Sequence, residues 1–410
     1  MKPAFPVSSE TRHARAVFAS KILRSFLLGA AVAGGMFTTH WAQADDSFSR
    51  GGGNRSESIF VGDIGDPNDT NDDTIKQVDL RTGAVRVFAS STFGAELNGV
   101  MGIIFNDASL IASIQNFSED PAASGDVIKL NGRTGMFEQY LVNPKSRNVP
   151  YAPQGIVFGG GTRDWHYGYQ PDHYYVANVI KSGQTCTKVD EGDVREYSES
   201  GAFVRTLDRV GFSAGFYPRG VVFGPDGMLY VAARGCPAVA PTDPLSLLAY
   251  ILRFNPYTHK LDKVIATNAS VQSQGLKFGF HRPEGLVFDD KGYLWVTSFR
   301  DTTSSADPLD KNNVDRILKF DVRSGKVVDS LPLSDFDKPR ASAQALIFGP
   351  EGKLYIPISG SAAETTGELR RCDTRTKKCD VVVPVGGGLV DPWFAVFRNS
   401  DPATLSYERR

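Results

Sequence analysis

A single five-residue pattern organises the hydrophobic positions of this chain: a variable residue, a small one, two apolar ones and a phenylalanine. It reads Met101-Gly-Ile-Ile-Phe105, Gln154-Gly-Ile-Val-Phe158, Arg219-Gly-Val-Val-Phe223 and Glu284-Gly-Leu-Val-Phe288. A fifth copy is Gln344-Ala-Leu-Ile-Phe348, and a degraded sixth is Trp393-Phe-Ala-Val-Phe397. The copies start 53, 65, 65, 60 and 49 residues apart. Short apolar runs without polar interruption predict strands buried on both faces.

Two further landmarks keep step with the first. Asp79-Leu-Arg-Thr-Gly83, Asn131-Gly-Arg-Thr-Gly135 and Asp321-Val-Arg-Ser-Gly325 are near copies, and Asp373-Thr-Arg-Thr376 is a fourth. Asp or Asn opening the turn and Gly closing it is tight-hairpin chemistry. Behind the phenylalanines come Gly224-Pro-Asp-Gly227, Asp289-Asp-Lys-Gly292 and Gly349-Pro-Glu-Gly352, each leading into an aromatic-rich strand. The segment Val314-Asp-Arg-Ile-Leu-Lys-Phe320 alternates, as a partly exposed third strand should. Each repeat therefore reads as strand, hairpin, strand, long loop, strand, hairpin, strand. A two-sheet β-sandwich would not keep three landmarks in phase.

The ends complete the pattern. The sixth copy lacks the other three strands of its unit, and three orphan strands stand at the start: 58–62, 74–80 and 84–89. Pairing the last strand with these three closes a ring and leaves no free edge. The expected fold is all-β, a six-bladed β-propeller spanning 57–398, with a flexible segment at 45–56 and a C-terminal tail at 399–410.

The first 44 residues follow other rules. Lys2, Arg12, Arg15, Lys21 and Arg24 precede an apolar run from Phe26 to Phe37, and the stretch ends in Ala42-Gln43-Ala44. That is the layout of a cleaved export signal, and the run falls short of the roughly 20 residues a spanning helix needs. Export to a periplasm or the extracellular space is expected, with no integral membrane segment after cleavage. Cleavage would take the net charge from −1 to −5. A mildly acidic chain without clustered Lys and Arg excludes nucleic acid as a partner. Four cysteines in an exported chain predict disulfides. Cys186 and Cys236 lie in long loops of adjacent blades, and Cys372 and Cys379 flank a hairpin.

The stretch Arg282-Pro-Glu-Gly-Leu-Val-Phe-Asp-Asp-Lys-Gly-Tyr-Leu-Trp-Val296 resembles a large propeller superfamily, and so does 217–231. That group comprises NHL-repeat proteins, SMP-30/gluconolactonase-type lactonases and strictosidine-synthase-like enzymes. The resemblance implies that side chains at the starts of the inner strands face a central channel. The variable motif positions Met101, Gln154, Arg219, Glu284, Gln344 and Trp393 then form a ring of ligand-binding candidates. Asn98, His281 and Asp391 stand just ahead of it. Similarity to the lactonases implies a divalent cation such as calcium, held by Glu284, Asn98 and Asp391, with Glu284 and His281 as catalytic candidates. The family's Pro-Asn-Gly pattern is Pro153-Gln-Gly155 and Pro218-Arg-Gly220 here, and an arginine in the ring would repel a cation. The Asp-rich stretch 62–73 lacks the spacing of an EF-hand loop. No phosphate loop, nucleophile elbow or Cys-x-x-Cys pair occurs. The leading expectation is binding of a small molecule or peptide at the loop-rich channel mouth. The alternatives are a metal-dependent lactonase or esterase and a protein-interaction scaffold.

Overall fold

A computed structural model describes residues 57–65, 73–94, 97–116, 124–161, 170–179, 192–235, 244–303, 306, 309–335, 340–361 and 364–408. These form six four-stranded antiparallel sheets. Each sheet is one blade, and the motif strand is at one edge of every sheet. The six inner strands are Asp391–Phe397, Val100–Asn106, Ala152–Gly159, Tyr217–Phe223, Leu286–Phe288 and Ile347–Phe348, taken as blades 1 to 6 in that order. The predicted ring closure is present. Asp391–Phe397 pairs with Ser58–Ile64, with Ile59 opposite Phe397 and Ile64 opposite Asp391. Blade 1 thus joins the two ends of the described chain, which leaves no open edge in the ring.

The structure explains why the motif needs each of its residues. A Cβ on Gly155 would lie 2.8 Å from the carbonyl oxygen of Arg219, and one on Gly285 would lie 2.7 Å from Cα of Ala345. The small residue is therefore the place where one blade's backbone meets the next. The terminal phenylalanine has a second role. Phe105, Phe223, Phe288, Phe348 and Phe397 each meet an aromatic ring on the preceding blade: Phe60, Tyr175, Tyr230, Trp295 and Tyr355. Ring centroids are 4.9–6.3 Å apart and planes are steeply inclined, the edge-to-face arrangement worth about 0.5–1.5 kcal/mol per pair. The aromatic-rich second strands thus staple neighbouring blades together.

The hairpin landmarks also act as expected. Oδ1 of Asp79 accepts from the amides of Arg81 and Thr82, and Gly83 closes the turn at φ +71°. In the fourth copy, where glycine is absent, Lys377 takes φ +60°. Cys372 and Cys379 face each other across their hairpin and form the expected disulfide. Cys186 and Cys236 lie outside the described residues.

Residues 399–408 follow the closing strand and turn under the ring. The carbonyls of Pro402 and Ala403 accept from the amides of Phe158 and Phe223, each at 2.9 Å, at the far ends of two inner strands. Leu405 is buried, and Tyr407 packs edge-on against Phe397 at 5.3 Å.

Candidate functional site

All six variable motif residues line one cavity at the ring axis, of about 20 Å³, room for roughly one water. They get there because every inner strand begins on the same face and carries its first motif side chain inward. Met101, Gln154, Arg219 and Glu284 are buried, while Gln344 and Trp393 are half-buried.

Arg219 dominates this ring. Its Nε donates to Oε2 of Glu284 on the adjacent blade. Its guanidinium carbon also lies 5.6 Å from the ring centroid of Trp393, on the blade across the channel. Burial pulls the Arg219 guanidinium down to about 10, with Glu284 holding it up and Arg234 pushing it further down. It stays protonated at neutral pH. Glu284 has a second cation, since Nη1 of Arg234 lies 2.8 Å from Oε1 as an ion pair without an aligned hydrogen bond. The main chain is anchored too: Oγ1 of Thr297 accepts from the amides of Glu284 and Gly285 at 2.9 and 3.1 Å. Gln154 donates to its own blade's Ala152 carbonyl at 3.2 Å and to Gln115 at 3.3 Å.

The other sequence candidates sit above the ring with separate partners. Asn98 donates to Asn116 at 3.3 Å. Asp391 is raised above the usual carboxylate range by burial, which the neighbouring Trp393 and Ser359 side chains oppose and the nearby Asp63 reinforces. Asp63 in turn accepts from Lys76 and from the amides of Val390 and Asp391. Glu284, two blades away from Asp391, gives its oxygens to arginines. Among the described residues, no group of three or more His, Cys, Asp or Glu side chains is placed to hold a metal. The donor set expected for calcium is spread apart: Glu284 faces two arginines, and Asp391 stands two blades away beside Asp63. His281 lies beside Arg282 and Asp301, and burial holds it below the ordinary histidine value.

Sequence reasoning missed a group of arginines next to Glu284. Arg234 ends the second strand of blade 4, where it pairs in register with Tyr217 at the start of the inner strand. Arg282 and Arg340 precede the inner strands of blades 5 and 6. Arg282 and Arg340 flank one aromatic ring, their guanidinium carbons 5.8 and 5.2 Å from the centroid of Phe299. Arg340 Nη2 donates to Oδ1 of the buried Asp315 at 3.2 Å. Burial tends to raise Asp315, but Arg340 and the amides of Ser342 and Arg300 outweigh it and hold the carboxyl low. A larger groove of about 1070 Å³ lies apart from the ring, between blades 5 and 6, with Arg316, Glu368, Arg370 and Lys377 among its walls.

Fold and ring together define a six-bladed β-propeller with a plugged axis and a basic mouth. No protein-family model matches the chain. No curated protein matches it either. Among solved structures, a candidate 6-phosphogluconolactonase from Bacteroides fragilis is 13% identical, covering 83% of this chain and 98% of its own, with a TM-score of 0.47. The PQQ-bound aldose sugar dehydrogenase of Streptomyces coelicolor is 16% identical over 73% of this chain and 84% of its own, TM-score 0.43. The Dos1 propeller is 12% identical over 82% of this chain and 69% of its own, TM-score 0.40. Likenesses this distant carry no activity across.

Proposed function

We propose that this chain is an exported propeller that binds a small molecule at the loop-rich mouth of its central channel. The observation that carries this reading is the plug. Arg219, Glu284 and Trp393 close the axis down to room for about one water, so a ligand meets a floor rather than a passage. The longer connections of blades 3, 4 and 5 leave and return on the same face, from Val179 to Gly192, Arg234 to Ala249 and Ser298 to Arg316. Long loops on a rigid scaffold are where binding residues concentrate. The export part of the reading is supported by the N-terminal signal pattern and the Cys372–Cys379 bridge. No helix among the described residues is long and apolar enough to cross a membrane.

A metal-dependent lactonase is the weaker reading, since two guanidiniums already hold the carboxylate such a metal would need. An interaction scaffold calls for a contiguous apolar patch. Among the described residues, the most exposed large apolar ones, Val210 and Leu309, belong instead to different blades. The test is a thermal-shift screen of small polar compounds, neutral and charged, on the mature protein and on Gln344→Trp, which fills the floor of the mouth. A compound that raises the Tm of the wild type but not of the variant supports the reading. A screen without stabilising compounds, or with compounds indifferent to the variant, contradicts it.

A further inference from the structure

Four arginines converge on the mouth around two acids. Among the described residues, Arg219, Arg234, Arg282 and Arg340 are grouped with Glu284 and Asp315, and counting Asp301, on the His281 side, still leaves the cations in excess. Such crowding is unfavourable by itself. Arg282 and Arg340 press like charges against one Phe299 ring. The Arg282 guanidinium is pulled down to about 10, first by burial and then by Arg340 and Arg234.

Most of their donor capacity is unspent. A guanidinium has five N–H donors. Among the described residues, Arg282 gives Nη2 to Thr302 at 3.1 Å, Arg340 gives Nη2 to Asp315, and Arg234 sets Nη1 against Glu284. Nε of all three is buried without a hydrogen-bond partner. Yet the side chains of Arg234 and Arg340 keep 22% and 20% of their surface open, so their remaining groups can meet a ligand.

The backbone is strained to hold this arrangement. Arg282 takes φ +44°, and Ser342, whose amide donates to Asp315 at 2.9 Å, takes φ +46°. Each lies two residues ahead of a ring residue, Glu284 or Gln344. Non-glycine residues in this region are strained and cluster at ligand clamps. Like-charge crowding and unused donors share one remedy, an anion.

We infer that Arg234, Arg282 and Arg340 form an oxyanion site at the channel mouth, which takes the carboxylate or phosphate group of a small molecule. Both groups match the planar fork of arginine, which can donate two parallel hydrogen bonds. The inference rests on the mouth-binding reading and gives its ligand a charge.

Isothermal titration calorimetry tests it with three probes: inorganic phosphate, succinate, and the neutral 1,4-butanediol. The variants are Arg282→Asn, chosen because asparagine tolerates positive φ, and Arg340→Gln, which leaves Asp315 the amides of Arg300 and Ser342. Thermal melts confirm that each is folded, and either suffices if the other is not. Phosphate or succinate should bind the wild type, more weakly as salt rises, and at least about tenfold more weakly in the variants. Whichever anion binds identifies the oxyanion. Variants that bind as tightly as the wild type overturn the inference, as does a wild type that binds neither anion. Butanediol binding without anion binding would overturn the oxyanion site and leave the mouth reading standing. Failure of all three probes, together with an empty thermal-shift screen, would remove both.

Discussion

The Arg219 guanidinium lies 5.6 Å from the indole of Trp393, although their strands belong to opposite blades. The channel is therefore bridged at the level of the ring, and the bridge is a cation against an aromatic face. Partly desolvated contacts of this kind are worth about 1–2 kcal/mol. Trp393→Leu, which loses the π face, should cost about that much more stability in urea denaturation than Trp393→Phe, which keeps it. Equal losses would mean that the ring face contributes nothing beyond its bulk.

His281 sets a pH dependence. Burial first, and Arg282 next on the same side, hold it below its ordinary value of 6.5, while Asp301 opposes them. As pH falls through 6.5, the unfolded chain takes up this proton before the native state does. The stability is complete above that value and declines below it until the native imidazole also protonates. His259 is likewise held low by burial, so the comparison must be internal. The stability of wild type relative to His281→Asn should fall between pH 7.5 and pH 5, values chosen to span about one unit or more on either side of an ordinary histidine. A difference that stays flat or grows toward acid would contradict the burial of a neutral imidazole.

The bridge across the outer hairpin of blade 6 closes a short loop, with the two cysteines seven positions apart. Loop closure of this size stabilises by about 2 kcal/mol. Replacing both Cys372 and Cys379 with alanine should lower the denaturation free energy by roughly that amount, and a change below about 0.5 kcal/mol would show that the hairpin needs no staple.

The segment after the closing strand is a floor for the ring. Leu405 is buried at 3% exposure, and its neighbours bond to the ends of two inner strands. Leu405→Ala should cost about 2–4 kcal/mol, the usual range for an apolar side chain that leaves a cavity. Urea denaturation of the full-length chain gives the value, and a negligible loss would mean that these residues are merely draped over the ring.

The fold was legible because its determinants are local and repeated. Gly155 and Gly285 must be small where blades touch, and Phe288 must be aromatic to meet Tyr230. The same demand recurs at every junction and leaves a periodic trace. The ring was legible for the same reason: Met101, Gln154, Arg219, Glu284, Gln344 and Trp393 share one phase of that repeat. The arginine group was not. Arg234 comes from the end of a second strand and Arg282 and Arg340 from the approaches to inner strands, so no common spacing marks them. Only Arg282 belongs to the repeat-bearing stretch 282–296, and its left-handed backbone has no sequence signature. Nor does residue type foretell that Pro402 and Ala403 lend their carbonyls to Phe158 and Phe223. Nor does the sequence reveal that Glu284 faces two arginines, Arg219 and Arg234.

Everything rests on distant motif copies becoming neighbours around one axis, and Arg219 with Glu284 is the sharpest instance, buried at 7% and 3% exposure. A double-mutant cycle with Arg219→Met and Glu284→Gln measures it in one set of urea denaturation curves. Each single change should cost about 3–5 kcal/mol by stranding a buried charge, while the double change should cost far less than the sum, with a coupling of about 2 kcal/mol or more. Single costs that add to within about 0.5 kcal/mol would place the two side chains apart and contradict the ring.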